Sequence, residues 1–123
     1  MAASNKKPCP VVHFEINGKS NKKAKAFYAK LFNWKIQLIP QMGYGMVDAD
    51  GEKKSQINGG MAENTKAFVT FYVMVPDLDA TLKQAKKLGS KVMMGRQDME
   101  EMGIAIALFR APDGNPVGLM QSI

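Results

Sequence analysis

Two residues near the start of the chain have the types and spacing of a chemical pair: His13 and Glu15, in the run Val11-Val12-His13-Phe14-Glu15-Ile16-Asn17. In an extended strand, residues two apart share a face, so the imidazole and the carboxylate stand together while Val12, Phe14 and Ile16 turn the other way. A histidine beside a carboxylate can act as a general base or orient a ligand by donating a hydrogen bond. The plainer alternative is a partly buried histidine satisfied by its neighbours. The same period puts Thr70 and Tyr72 on one face of a second run, and Gly118 and Met120 on one face of a third. A small residue at Gly118 leaves space, so these positions predict a ligand pocket of mixed character. Trp34 either lines that pocket or anchors a helix to a sheet.

Strands must carry these residues, and the patterning supplies them. Val11–Asn17 predicts a strand closed by Asn17-Gly18. Ser20 is placed to cap a helix whose apolar positions Ala24, Phe27, Tyr28, Leu31 and Phe32 follow 3, 4, 7 and 8 spacing, so that one stripe packs on a sheet. Trp34–Ile39, Tyr44–Ala49 before Asp50-Gly51, and Ser55–Met61 predict three more strands. After the connector Glu63-Asn64-Thr65-Lys66 the order repeats. Ala67–Val75 is the strongest strand, Asp77 starts a helix bearing Leu78, Leu82, Ala85 and Leu88, and Gly89 ends it. Lys91–Met94, Ile104–Phe109 and Pro116–Gln121 complete the set, with residues 95–102 predicted as a polar, methionine-containing loop.

The halves also answer each other in detail. Lys30-Leu31 before Lys35-Ile36 matches Lys87-Leu88 before Lys91-Val92, and Asp50-Gly51 matches Asp113-Gly114, which reads as an internal duplication. A repeat of two cannot be a solenoid, because solenoids need three or more units to bury a continuous core. The expected architecture is one α+β domain over 11–121, with units of about 11–62 and 67–121 and a mobile leader at 1–10. The units close on each other or on a partner's, leaving each curved sheet one face for helices and one for a cup.

Composition narrows the classes further. The chain has 123 residues, 46% hydrophobic and 23% charged, which is ordinary for a globular domain. No apolar run approaches the roughly 20 residues that cross a bilayer, so no membrane partner and a cytoplasmic location are expected. The single cysteine, Cys9, excludes an internal disulfide framework and reads as an incidental thiol. The net charge is +6, with lysines concentrated at Lys19, Lys22, Lys23, Lys25 and Lys30 and at Lys83, Lys86 and Lys87 as the solvated faces of predicted helices, and Arg96 and Arg110 are the only arginines, so nucleic acid is not an expected partner. Among the ten methionines, Met93, Met94, Met99 and Met102 gather near one loop. They suit either an adaptable apolar contact or ordinary core filling. Arg96, Asp98, Glu100 and Glu101 in that loop read as solvated, with either glutamate a candidate lid carboxylate.

These pieces, in this order, resemble the vicinal oxygen chelate superfamily of glyoxalases, bleomycin-resistance proteins and extradiol dioxygenases. The residues that carry the resemblance are Val12-His13-Phe14-Glu15-Ile16, Lys25-Ala26-Phe27-Tyr28 through Leu31-Phe32-Asn33-Trp34, Asn58-Gly59-Gly60-Met61, Phe71-Tyr72-Val73 with Asp77-Leu78-Asp79-Ala80, and Pro112-Asp113-Gly114-Asn115-Pro116-Val117-Gly118-Leu119. The chain is most similar to small proteins described as related to lactoylglutathione lyase. The resemblance implies two tandem βαβββ units forming a curved-sheet cup, and a homodimer.

In metal-using members four side chains hold the ion. Carried over by position, they fall on His13, near Asn58 to Gly60, on Thr70 and on Gly118. A tightly held divalent cation needs three or more good donors, and glycine has none to offer. Without help from Glu15, Asp48 or a substrate oxygen, no catalytic metal and no cofactor are expected. The expected function is a small-molecule-binding protein of the glyoxalase/bleomycin-resistance type, lacking the catalytic metal and holding a small organic ligand with His13, Glu15, Thr70, Tyr72, Gly118 and Met120. The alternative is a lyase or isomerase of a small oxygenated metabolite, in which His13 and Glu15 are the candidate catalytic residues.

Overall fold

Alternating strand patterns and two capped helices appear in the order in which the residues suggest them. The computed structural model describes residues 7–49 and 57–123. The elements are β1 (Val11–Gly18), α1 (Asn21–Phe32), β2 (Lys35–Ile39), β3 (Tyr44–Asp48), β4 (Gly59–Glu63), β5 (Phe68–Met74), α2 (Leu78–Lys87), β6 (Lys91–Met99), β7 (Ile104–Arg110) and β8 (Pro116–Ser122). The predicted Asp50-Gly51 turn, the start of the strand placed at Ser55 and the first six leader residues lie outside the described residues. The chain divides into two compact units, an amino-terminal one of Val12–Phe71 and a carboxy-terminal one of Tyr72–Ile123 with Met1–Val11.

In the amino-terminal unit the strands run β2-β3-β4-β1. The first two pairings are antiparallel, and β1 lies parallel to β4 with Phe14 opposite Gly59 and Glu15 opposite Gly60. Helix α1 begins because Ser20 adopts an extended backbone and its side chain accepts a hydrogen bond from Lys23 N at 3.2 Å. It stops where Asn33 turns left-handed at φ 60°. Ile36, Val47 and Met61 form the core, with Phe14, Ala24, Tyr28 and Trp34 packed against it. Period two along β1 and β4 therefore assigns Phe14 and Met61 to the helix side, and His13, Glu15 and Gly60 to the opposite side.

The carboxy-terminal unit repeats this order as β6-β7-β8-β5, again with a parallel pair, in which Tyr72 lies opposite Gly118 and Met74 opposite Met120. Helix α2 is capped by Asp77, whose carboxylate accepts from Ala80 N at 3.0 Å. It ends in a two-bond motif: Ser90 N donates to Ala85 O and Gly89 N to Lys86 O, with Gly89 at φ +102°. Val75, Leu78, Ala105, Ala107 and Leu119 make its core. One further correspondence joins the two helix starts. Glu63 at the end of β4 accepts from Asn21 N, and Gln121 near the end of β8 accepts from Leu78 N at 2.7 Å, so each parallel strand caps its own unit's helix.

Three expectations need correction. The segment 95–102 is not a loop: β6 continues to Met99, and Glu100–Met102 form a short 3-10 turn. Pairing there slips twice, between Val92 and Met94 and between Met94 and Gln97, and such bulges together with charges are how an edge strand tolerates polar residues on both faces. Arg96 is not simply solvated, since it donates to Asp79 and Asp98 at 2.7 Å each and ties β6 to α2. The α1 stripe is also only partly buried. Ala24 and Tyr28 face the core while Phe27, Leu31 and Phe32 stay more than half exposed, because the rings of Phe14 and Trp34 already occupy the space beneath the helix.

Candidate functional site

The side of the amino-terminal sheet away from the helix is unusually polar for a buried surface. Glu15 and Asn17 are 7% and 5% exposed, and each is held by the other: Asn17 Nδ2 donates to Glu15 Oε1 at 3.0 Å. Both belong to β1, two residues apart, so alternation alone brings them together. His13 continues the row. Its Nε2 shares a hydrogen bond of 3.0 Å with the hydroxyl of Tyr44, a residue of β3 on the same side of the sheet, with donor and acceptor set by the imidazole tautomer.

Tyr44 reaches His13 because of Gly60. A Cβ built on Gly60 would collide with the Tyr44 hydroxyl and ring, its least severe contact being 3.0 Å from Cε2. The ring therefore lies flat in the space that any side chain at position 60 would fill. Burial holds the His13 imidazole below its ordinary value, which keeps it neutral near pH 7. Burial, and after it the nearby Glu15 carboxylate, pushes the Tyr44 phenol well above its ordinary range, so the phenol stays protonated. Two uncharged hydrogen-bonding groups thus stand beside one buried carboxylate. Thr70, also buried, donates from Oγ1 to the Phe71 carbonyl at 3.3 Å.

The other expected site residues lie in the carboxy-terminal unit. Tyr72 is 2% exposed, and its ring covers Gly118: a Cβ there would sit 2.6 Å from both Cε2 and Cγ. The space expected at Gly118 is accordingly filled by Tyr72, the residue paired with it across the ladder. Met120 is half-buried opposite Met74. Trp34 joins neither group. It packs with Phe14, Tyr28 and Phe32 at ring-centre distances of 5.5, 5.8 and 5.1 Å, on the helix side of the amino-terminal sheet.

This donor set does not fit the metal that the sequence resemblance brings to mind. Of the four carried-over positions, His13 already bonds Tyr44, Thr70 offers a hydroxyl, and Gly60 and Gly118 lie under tyrosine rings. Asn58 is engaged as well, its Oδ1 accepting from Ala49 N at 2.8 Å. Among the described residues no group of three or more His, Cys, Asp or Glu could hold an ion. Asn17 and Tyr44 complete the amino-terminal cluster and were missed by sequence reasoning; period two from Glu15 was the available signal for Asn17, and the adjacent glycines Gly59-Gly60 inside a strand were the signal for Tyr44.

Residues 11–119 match the family described as the Glyoxalase/Bleomycin resistance protein/Dioxygenase superfamily. The chain is 31% identical over 106 residues to a candidate glyoxylase, CFP32, of Mycobacterium bovis and Mycobacterium tuberculosis. That match covers 80% of this chain, which spans about 40% of the length of those relatives. Among solved structures, a glyoxalase/bleomycin resistance protein/dioxygenase superfamily member from Vibrio splendidus aligns with TM-score 0.66 and 12% identity, covering 94% of this chain and 100% of that one. A variant methylmalonyl-CoA epimerase of Streptomyces coelicolor, in complex with 2-nitronate-propionyl-CoA, aligns with TM-score 0.59 and 15% identity over 91% of this chain and 96% of that one. At such identities the likeness is one of fold, and it is the α+β fold of βαβββ units expected from the sequence.

Proposed function

The chain belongs to the glyoxalase/bleomycin resistance protein/dioxygenase superfamily, and from that premise we propose that it binds a small hydrophobic or aromatic molecule without a catalytic metal. The observation that supports this reading is the pair of tyrosine rings laid over Gly60 and Gly118, together with the hydrogen bond that joins His13 Nε2 to the Tyr44 phenol. A family member with no electrophilic ion must hold its ligand by shape and by neutral hydrogen bonds. His13, Glu15 and Thr70 are the contacts proposed in the amino-terminal unit, and Tyr72 and Met120 those in the carboxy-terminal unit, where Gly118 gives the Tyr72 ring its place. The reading further takes the chain as one internally duplicated domain, homodimeric and cytoplasmic, with no nucleic-acid partner.

The second reading is a lyase or isomerase of a small oxygenated metabolite. It draws on the mycobacterial relatives described as candidate glyoxylases. Stabilising an enediolate requires an electrophile at the substrate oxygens, and His13, Tyr44 and Thr70 are the uncharged groups available for it. A thermal-shift screen separates the two, because a ligand that binds only the folded state raises the melting temperature by mass action. Stabilisation by aromatic antibiotics, with no turnover of a hemithioacetal, supports the binding protein. Robust glyoxalase turnover refutes it.

A further inference from the structure

One hydroxyl on the side of the amino-terminal sheet away from the helix has chemistry beyond filling space. We propose that Tyr44 selects the ligand, holding an uncharged, carbonyl-bearing molecule through its hydroxyl and turning carboxylates away. This rests on the ligand-binding reading above and names the chemical class that the site takes.

Three observations lead to it. First, Tyr44 is fixed in place. Gly60 provides the space for its ring, and His13 Nε2 holds its oxygen at 3.0 Å. A phenol donates one hydrogen bond and accepts others, so when His13 carries its proton on Nε2 and donates to Tyr44, the phenol keeps its own proton for a ligand carbonyl. Second, the pair is uncharged: burial keeps His13 deprotonated and Tyr44 protonated, so neither supplies a full charge to balance an anion. Third, Glu15 stands on the same side of the sheet, 7% exposed and opposite Gly60 in the β1–β4 ladder. Its field already opposes negative charge on the Tyr44 oxygen, and a carboxylate bound at that oxygen would meet the same field. A ketone, aldehyde or amide carbonyl accepts a hydrogen bond without bringing charge, which matches what the hydroxyl and its surroundings offer.

The test uses two probes of one shape, acetophenone and benzoate, and one reporter. The chain has a single histidine, so the imidazole signals in an NMR titration belong to His13 without assignment. Acetophenone is expected to shift them, with benzoate weaker by about tenfold or more. Tyr44→Phe, which keeps the ring over Gly60, should weaken acetophenone by roughly fivefold, the loss of one neutral hydrogen bond. Glu15→Gln should bring the two probes to within about threefold of each other. If benzoate binds the unaltered protein as tightly as acetophenone, or if Tyr44→Phe leaves acetophenone affinity unchanged, Tyr44 is not the selector although the ligand site stands. If neither probe moves the His13 signals, the selection and the ligand site fall together.

Discussion

Replacing Gly60 with alanine is the sharpest perturbation available, because it adds one methyl group where a tyrosine already lies. The added Cβ would overlap the Tyr44 hydroxyl and Cζ and stand 3.0 Å from Cε2, and a ring cannot yield at its far end alone. The phenol must swing away, breaking its bond to His13. Overpacking of this kind costs about 1–3 kcal/mol, and the lost hydrogen bond about 0.5–1.5 kcal/mol. Together they predict a loss of about 2–4 kcal/mol, which for a chain of this size lowers Tm by roughly 6–20 °C. Urea unfolding followed by tryptophan fluorescence suits the measurement, since Trp34 is the only tryptophan and packs in the core of the same unit. The clash belongs to the pair, so Gly60→Ala made in a Tyr44→Ala background should be close to neutral, giving a coupling energy above about 1 kcal/mol. A Gly60→Ala protein as stable as the original, or additive effects in the double variant, would refute the packing on which the site is built.

Stability should also fall in mild acid, with His13 as the cause. Its folded pKa is lowered by burial, so as pH drops below the ordinary value of about 6.5 the unfolded chain takes up the proton first. Folding stability therefore declines from about pH 6.5 down to the lowered folded value and levels off below it. Urea midpoints measured across that range for the protein and for His13→Gln should diverge in the original and stay parallel to its other carboxylate-driven losses in the variant; identical curves would contradict the burial. In the carboxy-terminal unit, Leu78 is fully buried beside Val75 and Leu119. Leu78→Ala should cost about 2–5 kcal/mol, and a loss below about 1 kcal/mol by chemical denaturation would show that the core is not organised around it.

Much of the fold was legible because its signals are local. Period two separated His13 and Glu15 from Phe14, Ser20 and Asp77 announced the helix starts, and Gly89 marked a helix end. The tyrosine contacts were not legible, because they join residues that strand alternation cannot relate. Nothing in the spacing connects Tyr44 with His13, which are 31 apart in the chain and meet only through the ladder of β3, β4 and β1. Gly118 illustrates the same limit from the other side. A glycine in a strand signals either open space or a neighbour that fills it, and here Tyr72 fills it. The stretch 95–99 was misread for a physical reason as well: an edge strand with bulges shows no clean alternation, and Gly95, Arg96 and Asp98 look like loop residues. One repeat signal was present and unused. Met42-Gly43 and Met102-Gly103 each close a 3-10 turn with a left-handed glycine, at φ +61° and +70°, before β3 and β7.

Metal analysis of the protein purified without chelators bears most directly on the metal-free reading. With His13 bonded to Tyr44 and with Gly60 and Gly118 under aromatic rings, divalent metal should be far below stoichiometric, and added zinc, nickel or manganese should leave both the melting temperature and the His13 NMR signals unmoved. A stoichiometric, tightly held divalent ion whose loss shifts those signals would contradict it.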